Sequence, residues 1–231
     1  MLTKLRNFLP GICPLCQLSA PAGQFCHVCQ DSIRHSHSYT HRCPVCQLAL
    51  PPNSLCPNCY EHRLVLQKIY SAFDYIPPLD SLVLQFKNAG KTHFVKPFAH
   101  LLIQQLPKDC PPAGTYLIPI PGSETSLRKR GFNPATLFAK EVAKNLQYRL
   151  ALTLLQRRDS LLAQKMLSRS DRFLHSSQLY YCSRRFDVEH VVLVDDILTT
   201  GSTLDSAARA LIAAGVKRVD AMVIARTANP L

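Results

Sequence analysis

The sequence predicts an α/β domain built on a mostly parallel central sheet, preceded by a small cysteine-bound module. Three observations carry this prediction. Eight of the ten cysteines crowd between residues 13 and 59 as four CxxC pairs. From residue 63 onward, strand-like and helix-like segments alternate. One of those strands, Val191–Val194, is an unbroken apolar run, the mark of a parallel strand buried on both faces. The boundary is drawn at residue 62, giving a cysteine-rich segment 1–62 and an α/β segment 63–231.

The pairs are Cys13/Cys16, Cys26/Cys29, Cys43/Cys46 and Cys56/Cys59. Each half reads C-x2-C-x9-C-x2-C, and the second repeats the first at an offset of 30, so that CPLCQL returns as CPVCQL. The segment is an internal duplication. A CxxC turn offers two thiolates to one cation, and two such turns complete a tetrahedral shell. The segment holds too few apolar residues to fold by burial alone, so bound metal supplies folding energy. Met1 to Pro10 lacks the apolar run of a secretory signal, and no apolar stretch approaches the roughly 20 residues of a membrane-spanning helix. A cytoplasmic, reducing location is therefore expected, and it favours ligation over disulfides. The segment is read as a double zinc ribbon with two structural Zn²⁺ ions. Whether each repeat binds its own ion or the repeats cross-brace is open at this level. Cys110 and Cys182 read as plain small side chains.

The α/β elements follow in order. Ile69–Tyr75 alternates as a strand. Pro77-Pro78 breaks it, and Asp80 can cap a helix running through Phe86 and closed near Gly90. Phe94–Leu106 is helical, with Pro97 in its first turn. Tyr116–Ile120 is a strand. Asn133-Pro134 is a cap and first-turn proline ahead of a helix with the stripe Phe138, Val142, Leu146. Leu150–Leu155 reads as a further strand. After Val191–Val194, a helix over Thr203–Ala214 turns Leu204, Ala208, Leu211 and Ile212 inward and stops at Gly215. Val219–Ala225 is the last strand.

The most informative stretch is Val191 to Thr203, VVLVDDILTTGST. A buried strand runs into two carboxylates, a hydroxyl-rich turn and a helix start. Backbone N–H groups at a helix start cradle phosphate, aided by the helix dipole. Thr199, Thr200, Ser202 and Thr203 add hydroxyl donors, and Gly201 allows close backbone approach. Asp195 and Asp196 only accept hydrogen bonds when ionised, which suits a ribose diol. The lysine of a Walker loop and the three glycines of a dinucleotide fingerprint are both missing.

This stretch resembles the phosphoribosyl pyrophosphate (PRPP) signature of type I phosphoribosyltransferases: four apolar residues, two acids, then TTGxT. The double zinc ribbon, IPIP at 118–121, LRKRGFN at 127–133, RR at 157–158, Gln164 and Arg172 extend the likeness, and the chain resembles the ComF family of competence proteins, GntX-like members included. The resemblance implies a type I phosphoribosyltransferase-like parallel sheet flanked by helices. It implies PRPP bound with Mg²⁺, its 5′-phosphate on Thr199, Thr200, Gly201, Ser202 and Thr203. Asp195 and Asp196 would orient the ribose, directly or through water and Mg²⁺. Gly122, Ser123 and residues up to Arg128 would hold pyrophosphate, and Arg128 and Arg172 would stabilise its departure. A loop over residues 157–176 would close above the site. The sequence departs from the family pattern at Thr125 and Ser126, where basic residues are usual. It departs also at Leu161, where threonine is usual, and at His175, where asparagine is usual.

The formal net charge is +12, and thirteen basic against three acidic side chains fall between residues 125 and 185. So concentrated an excess predicts an anion-binding face. Lys129, Arg130, Phe132, Arg157, Arg158, Arg184 and Arg185 combine charges that track a backbone with a ring that stacks a base, as sequence-tolerant binding of single strands requires. ComF relatives are implicated in natural transformation. The resemblance therefore implies single-stranded DNA and other DNA-uptake proteins as partners. Two further readings stand beside it: a phosphoribosyltransferase with an unidentified acceptor, and a non-catalytic PRPP-sensing regulator.

Overall fold

The computed structural model describes residues 10–36, 41–158 and 179–227. The duplicated segment contributes β1 (Pro10–Ile12), β2 (Ser19–Pro21), α1 (His27–Ser36) and α2 (Pro57–His62). The α/β part contains β3 (Ile69–Asp74), α3 (Leu79–Asn88), a 3₁₀ turn (Thr92–Phe94), α4 (Val95–Gln105), β4 (Tyr116–Pro119), α5 (Glu124–Arg130) and α6 (Pro134–Leu146). It continues with β5 (Arg149–Leu150), β6 (Leu155–Arg157), β7 (Tyr180–Cys182), β8 (His190–Leu198), α7 (Ser202–Ala213) and β9 (Arg218–Arg226).

The main sheet has five strands in the order β3-β9-β8-β4-β5, all parallel. β8 and β9 lie inside it and are buried almost throughout, which is why Val191–Val194 and Ala221–Ala225 are continuously apolar instead of alternating. The period of two sends their side chains to two separate cores. Val192, Val194, Met222 and Ile224 enter one, under α3, α4 and α6. Val191, Leu193, Val219, Ala221 and Val223 enter the other, under α7 and the β6–β7 hairpin.

Each cysteine module sits on a different core. The first places Phe25 and Ile33 against the α3–α4–α6 side, where the Phe98 ring lies 6.4 Å from Phe25, 5.5 Å from Phe73 and 5.9 Å from Phe86. The second places Leu48 in the α7-side core. It also shields the sheet edge: the Val45 carbonyl accepts the Ile69 N–H at 2.7 Å, and Arg42 forms a two-pronged pair with buried Asp74 at 3.0 and 2.7 Å.

Three local expectations change. Leu150–Leu155 is not one strand. Arg149–Leu150 ends the main sheet, the chain bends, and Leu155–Arg157 pairs with Tyr180–Cys182 in a separate antiparallel hairpin. An apolar run does not reveal where a strand changes sheets. Ile212 is 42% exposed, because the inward stripe of α7 is Leu204, Ala207, Ala208 and Leu211, and the next position turns about 100° away. Asp80 lies inside the first turn of α3, not at its cap; the helix begins one residue earlier, after Pro78. Asn133 caps α6 as expected, accepting the Ala135 N–H at 3.0 Å.

Candidate functional site

Each cysteine repeat closes on itself. Cys13, Cys16, Cys26 and Cys29 form one cluster and Cys43, Cys46, Cys56 and Cys59 the other, with all sulfurs of a cluster within 4.8 Å of one another. Sγ–Sγ separations of 3.6 Å for Cys16–Cys26, Cys43–Cys59 and Cys46–Cys56 exclude disulfides. Four sulfurs around Zn²⁺ at about 2.3 Å stand about 3.8 Å apart in a tetrahedron, so the clusters suit structural zinc. Residues 13–29 and 43–59 are thus two self-contained four-cysteine centres, without cross-bracing.

A second feature lies at the carboxyl ends of β4 and β8, where a cavity of about 430 Å³ opens. This is where parallel α/β sheets place ligands. Asp195 and Asp196 end up there together although strand alternation sends them to opposite faces. Pairing with β4 stops at Val194 while β8 runs on beside β9 to Leu198, and both aspartates line the opening left there. Each also accepts the N–H of the residue that follows it, at 2.9 and 2.7 Å. Lys87, in the last turn of α3, holds Asp196 at 2.9 Å. Burial and the neighbouring Asp196 carboxylate push Asp195 up to about 7, with Lys87 pulling in the opposite direction.

Opposite the acids, the loop after β8 leads into α7. Gly201 precedes the helix at φ 91°, in the left-handed region that favours glycine. Among the described residues, no side chain caps this helix start. Thr200 Oγ1 lies 3.2 Å from Ser202 Oγ and 3.4 Å from the Ser202 N–H, which stiffens the turn. Thr199 and Thr203 line the cavity itself. Its remaining wall comes from Pro121, Gly122 and Ser123 after β4, and from Arg157 and Tyr180 on the hairpin. Burial pushes the Tyr180 phenol up, while nearby Arg157 pulls it down.

Asp195, Asp196, Thr199, Thr203, Gly122 and Ser123 therefore share one cavity. Thr200, Gly201 and Ser202 form the turn beside it. Arg128 does not line it. α5, capped by Ser123 accepting the Ser126 N–H at 3.2 Å, turns Ser126, Leu127 and Arg130 inward. Arg128 points outward, exposed, 3.2 Å from Glu124 one turn earlier. Arg172, Gln164, Leu161 and His175 lie outside the described residues, as does most of the 157–176 loop.

Of the basic set, Arg130 and Arg157 line the cavity with Phe132. Phe132 also packs on Phe86 at 6.2 Å, so its ring is wall as much as platform. Lys129, Arg184 and Arg185 are exposed, with Arg185 held by Asp187 at 2.8 Å. Arg158 lies 5.2 Å from the Tyr181 ring centre. Sequence reasoning missed Lys87. Lys87 follows Phe86, the last residue of the α3 stripe, and only the strand order brings that helix end to the acids.

Comparison with known proteins agrees with this architecture. Residues 133–230 match the phosphoribosyl transferase domain. The DNA utilization protein YhgH of Escherichia coli K12 is 26% identical over 225 residues, covering 95% of this chain and 98% of its own. Competence protein F of Haemophilus influenzae is 25% identical over 227 residues, 94% of this chain and 90% of its own. Competence protein ComFC of Bacillus subtilis is 25% identical over 218 residues, 92% and 76% respectively. No helix among the described residues is long and apolar enough to cross a membrane. Two four-cysteine centres ahead of a phosphoribosyl transferase domain, with competence proteins as relatives along nearly the whole length, make this chain similar to the ComF competence proteins.

Proposed function

We propose that this protein binds PRPP or a related phosphorylated ribose in the β4–β8 cavity and acts in natural transformation, handling single-stranded DNA in the cytoplasm. The observation that carries the ligand reading is the meeting, in one cavity, of an acidic pair with a hydroxyl-lined, uncapped helix start. Thr199, Thr200, Gly201, Ser202 and Thr203 receive the 5′-phosphate through backbone and hydroxyl donors. Asp195 and Asp196 accept the ribose hydroxyls. Gly122 and Ser123 hold pyrophosphate, and Arg128 would have to turn from Glu124 to join them. The donor set fits Mg²⁺ carried in by the ligand, since burial beside Asp196 leaves Asp195 short of compensating charge. Bound Mg²⁺ would neutralise pyrophosphate oxygens.

For DNA, the support is the basic rim: Arg130 and Arg157 in the wall, and Lys129, Arg158, Arg184 and Arg185 beyond it. The relatives' names, DNA utilization protein and competence protein, point the same way.

Calorimetric titration of PRPP–Mg²⁺ into the protein and into an Asp195→Asn, Asp196→Asn double variant tests the ligand reading. Binding by the first and not by the second is expected; equal binding by both refutes it. Affinity for a short single-stranded oligonucleotide should fall steeply with added salt. A flat salt response removes the basic rim as the DNA contact. Pyrophosphate release with a base or ammonia would establish a transferase, whereas PRPP binding without release would establish a sensor.

A further inference from the structure

Arg226 ends β9 and is wholly buried, yet it makes no ion pair among the described residues. Asp74 stands opposite it in the β3–β9 register, but Asp74 is held by both terminal nitrogens of Arg42. The Nε and Nη2 of Arg226 have no hydrogen-bond partner among the described residues. Only Nη1 is engaged. It donates to the carbonyls of Leu198, at 3.3 Å, and of Thr199, and lies 3.3 Å from the Thr227 hydroxyl. The Leu198 carbonyl also accepts the Thr227 N–H at 2.9 Å and the Thr227 hydroxyl at 3.3 Å. Burying a half-satisfied guanidinium is costly, and packing alone does not explain it.

Peptide geometry supplies a reason. In a planar trans peptide, the C=O and the following N–H point in opposite directions. Donors that draw the Leu198 and Thr199 carbonyls toward Arg226 therefore aim the N–H groups of Thr199 and Thr200 away from it. Thr199 lines the cavity on that side. The same guanidinium leaves an unpaired positive charge behind those two amides.

We infer that Arg226 is a positioning residue for the phosphate end of the cavity. It fixes the Thr199 and Thr200 amides as donors to the phosphate of a phosphorylated ribose, and its buried charge favours the anion without touching it. This rests on the reading of the cavity given under Proposed function.

Ribose 5-phosphate and ribose, titrated separately into the protein and into Arg226→Met, test the inference. Arg226→Met should bind ribose 5-phosphate at least tenfold more weakly and bind ribose as before. In the unaltered protein, ribose 5-phosphate should shift the Thr199 and Thr200 amide proton resonances downfield, and Arg226→Met should lose that shift. A merely structural role for Arg226 would move both ligands together. A loss of less than threefold for ribose 5-phosphate overturns the inference, and a larger loss confined to it supports the inference. Zinc content and thermal unfolding show whether the variant folds. If it does not, Arg226→Lys decides by the same threshold, because a single ammonium cannot hold both carbonyls in the guanidinium's geometry. If the unaltered protein ignores ribose 5-phosphate, the reading of the cavity falls and takes the inference with it, whereas ribose 5-phosphate binding that Arg226→Met leaves intact overturns the inference alone.

Discussion

The two cysteine modules are copies of one another, and they bury opposite sides. Their backbones match closely. Cys13 N–H donates to Leu18 O at 2.8 Å and Cys43 N–H to Leu48 O at 2.9 Å, while Gln17 and Gln47 share a positive φ of 62° and 61°. At equivalent positions, however, Leu18 is 69% exposed and Leu48 4%, whereas Phe25 is 1% exposed and Leu55 85%. Ile12 is exposed where Arg42 reaches in to Asp74. The metal-binding frame therefore dictates the fold of a module and leaves its outward residues free to choose the docking side. One module rests on the α3–α4–α6 core through Phe25, and the other on the α7 core through Leu48.

The largest expected effect comes from removing a ligand. Cys46→Ser should lower zinc content from two ions per chain to one and destabilise by about 4 kcal/mol or more, because the lost ion holds a module buried in the core. Cys16→Ser, at an exposed ligand, should also lose one ion but unfold at a higher temperature. Metal analysis and calorimetry check both. Next comes a crossed pair of substitutions. Phe25→Ala should cost about 3–5 kcal/mol and Leu55→Ala less than about 0.5. In the other direction, Leu48→Ala should cost about 2–4 kcal/mol and Leu18→Ala close to nothing. Equal costs within either pair, measured by urea unfolding, would break the comparison. Arg42→Met removes the two-pronged contact to the buried Asp74 carboxylate and should cost about 3 kcal/mol. Ile12→Met, at the equivalent exposed site, should be neutral within about 0.5 kcal/mol.

The smallest effect contrasts the two carboxylates of the cavity. Asp195 holds its proton up to about 7 in the folded protein, whereas the unfolded chain releases it near 3.8. The unfolded state therefore binds fewer protons across that window, and stability falls as pH rises through it. Asp195→Asn should remove this slope and gain about 1 kcal/mol relative to the unaltered chain at pH 8. Asp196→Asn should gain nothing comparable, since it breaks the contact with Lys87. Unfolding curves at pH 5 and pH 8 separate the two.

Much of this was legible in the residues because the chemistry is local. Four CxxC turns at fixed spacing, the continuous run Val191–Val194, and the acid pair followed by TTGST each state their role within a dozen residues. What was not legible depends on distant elements meeting. Lys87 and Asp196 are far apart in the chain and meet only through the strand order. The direction of Arg128 depends on α5, a short helix absent from the elements read off the sequence. Whether Leu18 or Leu48 is the buried leucine cannot be told from two flanks that read alike.

The ring of Phe98 has a practical consequence. It touches Phe25 of the first module, Phe73 of the sheet and Phe86 of α3, and Phe86 in turn meets Phe132 in the cavity wall. Cutting the chain near residue 62 would strip Phe25 from that stack and, on the other side, bare Ile69 and the β3 edge. The α/β portion should therefore not fold as an autonomous unit. Expressed alone it should be sticky and poorly soluble, and its cavity should be the first region to lose shape.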